Sequence, residues 1–103
     1  MMKKQYKRVV CYDGFSVSIQ GNKTGYCRPW HDHPEAYTEL ELGFPSSPDE
    51  IIKQYAENDL DLTGTVYGYV PVDEIYLLLL AHGGPTEGDV PQGVPVYGGV
   101  SYG

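Results

Sequence analysis

Residues 8–20 read RVVCYDGFSVSIQ, two apolar runs split by Asp13-Gly14. Asp and Gly both tolerate the positive φ of a two-residue type I′ turn, so the stretch predicts a tight β-hairpin. Folding about that dipeptide pairs Tyr12 with Phe15, Cys11 with Ser16, Val10 with Val17 and Val9 with Ser18. Paired residues share a face. Val10, Tyr12, Phe15, Val17 and Ile19 therefore form the expected apolar side, with Val9, Cys11, Ser16 and Ser18 opposite.

Further along, YTELELGF at 37–44 alternates. Thr38, Leu40, Leu42 and Phe44 point one way; Tyr37, Glu39 and Glu41 face solvent or a cationic partner. SSPDEIIKQYAEN at 46–58 carries helix-start signals, with Ser47 as cap, Pro48 in the first position and Glu50 closing a capping box. TVYGYV at 65–70 predicts a strand with Tyr67 and Tyr69 on one side, where Gly68 marks a close approach by another backbone or ring. PVDEIYLLLLAHGG at 71–84 predicts a second helix capped by Gly83. Ile75, Leu78, Leu79 and His82 lie on one stripe of it, while Tyr76, Leu77 and Leu80 spread apolar surface round the axis.

From residue 85 the chain turns to PTEGDVPQGVPVYGGVSYG. This Gly/Pro-rich composition predicts a flexible tail over 85–103, with Val94–Tyr97 as a possible edge strand. The element order is then β-β-β-α-β-α. It implies an α+β fold in which two helices pack on one face of a mostly antiparallel sheet. Residues 1–84 make one domain, with a basic N-terminal arm at 1–8.

The chain has 103 residues and a formal charge of −7. Lys3, Lys4, Lys7 and Arg8 crowd four of the seven cations into the first eight residues, so the body is more acidic still. Binding to nucleic acid needs a cationic face to displace counterions, and this body has the wrong sign. The longest apolar run, IYLLLLA at 75–81, is too short to span a membrane. No apolar h-region follows Lys3 and Lys4, which points to the cytosol and to Cys11 and Cys27 as reduced thiols. Ten Tyr against two Phe and one Trp favour rings that are half-buried at contact surfaces.

The loop at 20–36 contains YCRPWHDH, in which Cys27, His31 and His33 are possible zinc ligands. A fourth donor would come from Cys11, Asp32, Glu35 or His82. The spacing matches no common zinc motif, so a polar contact loop competes with the metal reading. Trp30 either pins the loop to the body or anchors a partner. No nucleophile elbow or phosphate loop occurs, and nothing in the motifs argues for an enzyme. Glu39 and Glu41 read as a solvated strip rather than an acid–base pair.

The segments YDGFSVSIQ, YTELELGFPS, TGTVYGYVPVDEI and AHGG, in this order over residues 12–84, resemble small uncharacterised accessory proteins of tailed bacteriophages. The resemblance implies an accessory protein of infection made in host cytosol, and it transfers no site. Combined with the residues, it gives a non-enzymatic binding protein that occupies the surface of a host or phage protein, for example a defence or nucleic-acid enzyme. The expected contact residues are Tyr26, Trp30, Tyr37, Glu39, Glu41, Tyr67 and Tyr69. A virion or homo-oligomer assembly protein, ordered through residues 71–82 and the tail, is the alternative. A small metal-binding protein using 27–33 is the third.

Overall fold

The computed structural model describes residues 5–95. Its strands are β1 (Val9–Cys11), β2 (Ser16–Gln20), β3 (Glu39–Gly43), β4 (Val66–Pro71) and β5 (Pro85–Glu87). They form one antiparallel sheet in the spatial order β4-β3-β2-β1-β5. Among the described residues there is one α-helix, α1 (Val72–Ala81). The expected pair of helices is therefore corrected to a single helix and a fifth strand.

The β1–β2 hairpin exists, but its register differs by one residue. Val9 pairs with Val17 and Val10 with Ser16. The Gly14 amide bonds the Cys11 carbonyl (2.9 Å) and the Cys11 amide bonds the Phe15 carbonyl (2.7 Å). With Gly14 at φ 95°, this is a three-residue loop: a β-turn over 11–14 that ends on a glycine at positive φ. The extra loop residue flips all of β1, because side chains alternate with a period of two. Val9 and Cys11 enter the core beside Phe15, Val17 and Ile19, and Tyr12 is left 81% exposed.

The helix expected at 46–58 is replaced by turns and one 3-10 turn at Lys53–Tyr55. Asp49 is tied into the turn from both oxygens. Its Oδ1 accepts from the Ile51 amide (2.9 Å), closing an Asx turn. Its Oδ2 is held by His82. Ile52 still reaches the core, and Ala56 leaves in an extended conformation to bridge Tyr67.

Leu40 faces Val70 while Leu42 faces Tyr67, so β4 carries one residue more than β3 between these pairs. The bulge lets Tyr67 and Val70, three apart, both enter the core. Tyr69 takes up the turn at φ 54° and stays out of the core. The helix α1 buries Ile75, Leu78 and Leu79, each worth about 2 kcal/mol on area. It ends at Gly83 (φ 88°) as expected, with the Gly83 amide bonding Leu80 and the Gly84 amide bonding Leu79.

The expected tail begins instead as β5, which pairs with β1 through Val10–Glu87 and Cys11–Pro85. Val94 is a core residue. No strand forms at Val94 or Pro95, and the rest of the proposed edge strand, together with Lys3 and Lys4 of the basic arm, lies outside the described residues.

Candidate contact surface

Alternation in β3 sends Leu40 and Leu42 inward, so Glu39 and Glu41 stand on the opposite face of the sheet. The 20–36 loop is tied to that face. The Glu41 carboxylate accepts from the Tyr26 amide (3.0 Å), and Arg28 pairs its backbone with Glu39. The Tyr69 amide, freed from the ladder by the bulge, bonds the Tyr26 carbonyl (2.9 Å). Gly68 eases this crossing: a Cβ there would lie 3.3 Å from the Tyr26 Cβ, a tight contact. The close approach expected at Gly68 is therefore made by Tyr26.

These bonds assemble four large side chains outside the core. The Arg28 guanidinium carbon lies 4.9 Å from the Trp30 ring centroid and 5.1 Å from that of Tyr69. The Tyr26 and Tyr69 rings are 6.0 Å apart. Arg28 Nε makes a loose ion pair with Glu39 (3.6 Å). Trp30 is 50% exposed and Tyr26 44%. Of the residues expected to meet a partner, Tyr26, Trp30, Glu39, Glu41 and Tyr69 thus come together.

Two of the expected contact residues do not join them. Tyr37 and Tyr67 are buried, corrected from contact residues to core. The Tyr37 hydroxyl donates to the His31 carbonyl (2.8 Å), and the Tyr67 hydroxyl to the Leu62 carbonyl. Burial raises both phenol pKa values. Sequence reasoning missed Arg28, although its place between Tyr26 and Trp30 was the available signal.

The three proposed zinc donors separate. Cys27 is fully buried, its thiol donating to the Asn22 carbonyl (3.0 Å), and burial raises its pKa. His31 and His33 are exposed, and His33 Nδ1 lies 3.4 Å from the Tyr6 hydroxyl. Among the described residues no three His, Cys, Asp or Glu side chains are grouped to hold a metal. Both cysteines are free and buried. Burial, and then the Asp13 charge, push Cys11 up to about 11.

A second constellation centres on His82. Its Nδ1 lies 2.7 Å from Asp13 Oδ2 and its Nε2 2.7 Å from Asp49 Oδ2. Its ring stacks on Phe15 at 3.9 Å and 9°. Both nitrogens are occupied, so the ring has no lone pair to offer a substrate. It acts as a clamp joining the hairpin tip, the 46–50 turn and the end of α1.

The chain matches no protein-family model, no curated protein and no solved structure. No helix among the described residues is long and apolar enough to cross a membrane.

Proposed function

We propose that this chain is a non-enzymatic binding protein that acts by occupying another protein's surface through Tyr26, Arg28, Trp30 and Tyr69. Trp, Tyr and Arg are the residue types that dominate binding energy when clustered and desolvated. The observation that carries the reading is Tyr69. A bulky residue at positive φ is costly, and here the cost places a ring beside Arg28 and Tyr26 rather than in the core. The bacteriophage resemblance supplies the setting, an accessory protein in host cytosol directed at a host or phage protein such as a defence or nucleic-acid enzyme. The charge of −7 would steer the chain toward a mainly cationic surface.

Photo-cross-linking tests it, with a benzophenone residue at position 30 and a control at Leu60. Leu60 is 93% exposed, more than Trp30, so indiscriminate apolar stickiness would capture at least as well from there. One discrete adduct from position 30, absent from position 60 and lost in Tyr26→Ala, is expected. Equal capture from both positions would remove the patch from the account.

A second reading, assembly with copies of itself or with virion subunits, draws on Leu77 and Leu80, half-exposed three residues apart on α1. Sedimentation separates the two: a monomer at tens of micromolar ends the self-assembly form.

A further inference from the structure

We propose that Arg28 is the receptor for a carboxylate on the partner, so that the surface recognised pairs an acidic side chain with apolar neighbours. This rests on the contact reading above and specifies its partner chemistry. Arg28 lies against both Trp30 and Tyr69, so a partner that covers those two rings also covers the guanidinium. A covered cation without a counter-charge opposes binding, because its lost hydration is not replaced. Its internal counter-charge is weak. The one ion pair is Nε to Glu39 at 3.6 Å, the side chain is 55% exposed, and the Nη atoms make no hydrogen bond among the described residues. Among the described residues the Nη edge is thus the unpaired half of a planar donor fork, and such forks bind carboxylates through two parallel bonds. The flanking rings restrict the guanidinium in advance, which lowers the entropy cost of pairing.

Two features select a carboxylate over phosphate. One guanidinium neutralises a carboxylate but leaves a covered phosphate dianion with a net charge, to which Glu39 and Glu41 on the same face add. A nucleic-acid strand would need several Lys or Arg along its path, whereas Arg28 is the one cation among the residues of this patch. The long-range field and the central contact then have separate tasks. The acidic body draws the chain to a cationic surface, and Arg28 picks the place on it that offers an acid.

The test uses the full chain, labelled with ¹⁵N, and three probes: butyrate, butylammonium and inorganic phosphate. Butyrate is expected to shift the Arg28 Nε–H and Trp30 indole N–H signals. Arg28→Lys keeps the charge but loses the fork, and should weaken that binding by roughly 5-fold. Arg28→Gln should abolish it, with the remaining amide spectrum unchanged. The inference is overturned if butylammonium or phosphate shifts these signals as much as butyrate, or if Arg28→Gln binds butyrate normally. A uridine oligonucleotide binding more tightly than butyrate would also overturn it. If Arg28→Gln still cross-links from position 30 at full yield, the carboxylate falls and the contact surface stands. Loss of cross-linking from every variant and from the parent chain would remove both.

Discussion

His82 is where three segments close, and its protonation decides whether they stay closed. An imidazole can donate from both nitrogens only as the cation, and both of its nitrogens face carboxylates at 2.7 Å. Burial pulls its pKa down, but the hydrogen bonds to Asp13 and Asp49 and their charges outweigh that, leaving it above the ordinary 6.5. A group raised on folding contributes stability that is complete below its unfolded value and is lost as pH rises through the folded one. Asp13 runs the other way. The Phe15 amide and then His82 hold its pKa below 3.8, so its contribution is present above that value and lost as pH falls through the folded one. The clamp is therefore fully formed between about pH 4 and 6.5. Chemical denaturation across pH 4–9 should show stability falling on the alkaline side. Asp13→Asn should move the His82 titration, followed by ¹⁵N imidazole shifts, to lower pH. A His82 that titrates below 6.5 in the parent chain would refute the clamp. His82→Gln, which loses the Phe15 stack and leaves the mostly covered Asp49 unpaired, should cost about 2 kcal/mol.

At the level of elements, the bulge in β4 links packing to the contact surface. It admits Tyr67 and Val70 to the core and expels Tyr69 at φ 54°, a conformation costing a bulky residue about 1 kcal/mol. Tyr69→Gly should therefore leave stability within about 1 kcal/mol of the parent in urea, the relieved strain offsetting the lost ring. The same variant should lose cross-linking from position 30. If instead it destabilises by 3 kcal/mol with binding intact, the ring is packing material and the contact reading loses its main support. Elements with purely local causes were legible: the place of the hairpin turn at Asp13-Gly14, though not its length or register, the alternation of Leu40 and Leu42, and the Gly83 cap. Where a distant group intervened, local signals misled. Asp13-Gly14 fits a two-residue or a three-residue loop equally well, and burial of Cys11 against the rest of the core decides between them. Ser47, Pro48 and Glu50 make a sound helix start on paper, yet Asp49 is held by His82, 33 residues away. The patch was half legible. Trp30 and Tyr26 announced themselves, but only the bulge tells that Tyr69 turns out while Tyr67 turns in.

For the whole molecule, the decisive question is where the folded unit ends, because composition after residue 85 reads as tail. The structure closes its sheet with that segment. β5 forms the outer edge beside β1, Val94 fills the core, and the Gln92 carbonyl accepts from the Tyr37 amide (2.9 Å) while its side chain donates to the Pro34 carbonyl (2.6 Å). Asp89 is cross-bonded to Lys7, its carboxylate accepting from the Lys7 amide (3.0 Å) and its own amide bonding the Lys7 carbonyl (3.1 Å). Pro and Gly are compatible with all of this because an edge strand needs few amides and the connecting turns need positive φ, as at Gly88 and Gly93. Burial of Val94 contributes about 2 kcal/mol and each backbone bond about 1. Losing them together removes several of the roughly 5–15 kcal/mol of net stability typical of a whole domain. A chain ending at Gly84 should accordingly show no cooperative thermal transition by circular dichroism, and Val94→Asp in the full chain should lower the midpoint steeply by burying an unpaired charge. A truncated chain that melted like the parent would return residues 85–95 to the status of a tail. It would also detach the 20–36 loop from one of its supports, since Gln92 bonds both Pro34 and Tyr37 where that loop rejoins β3.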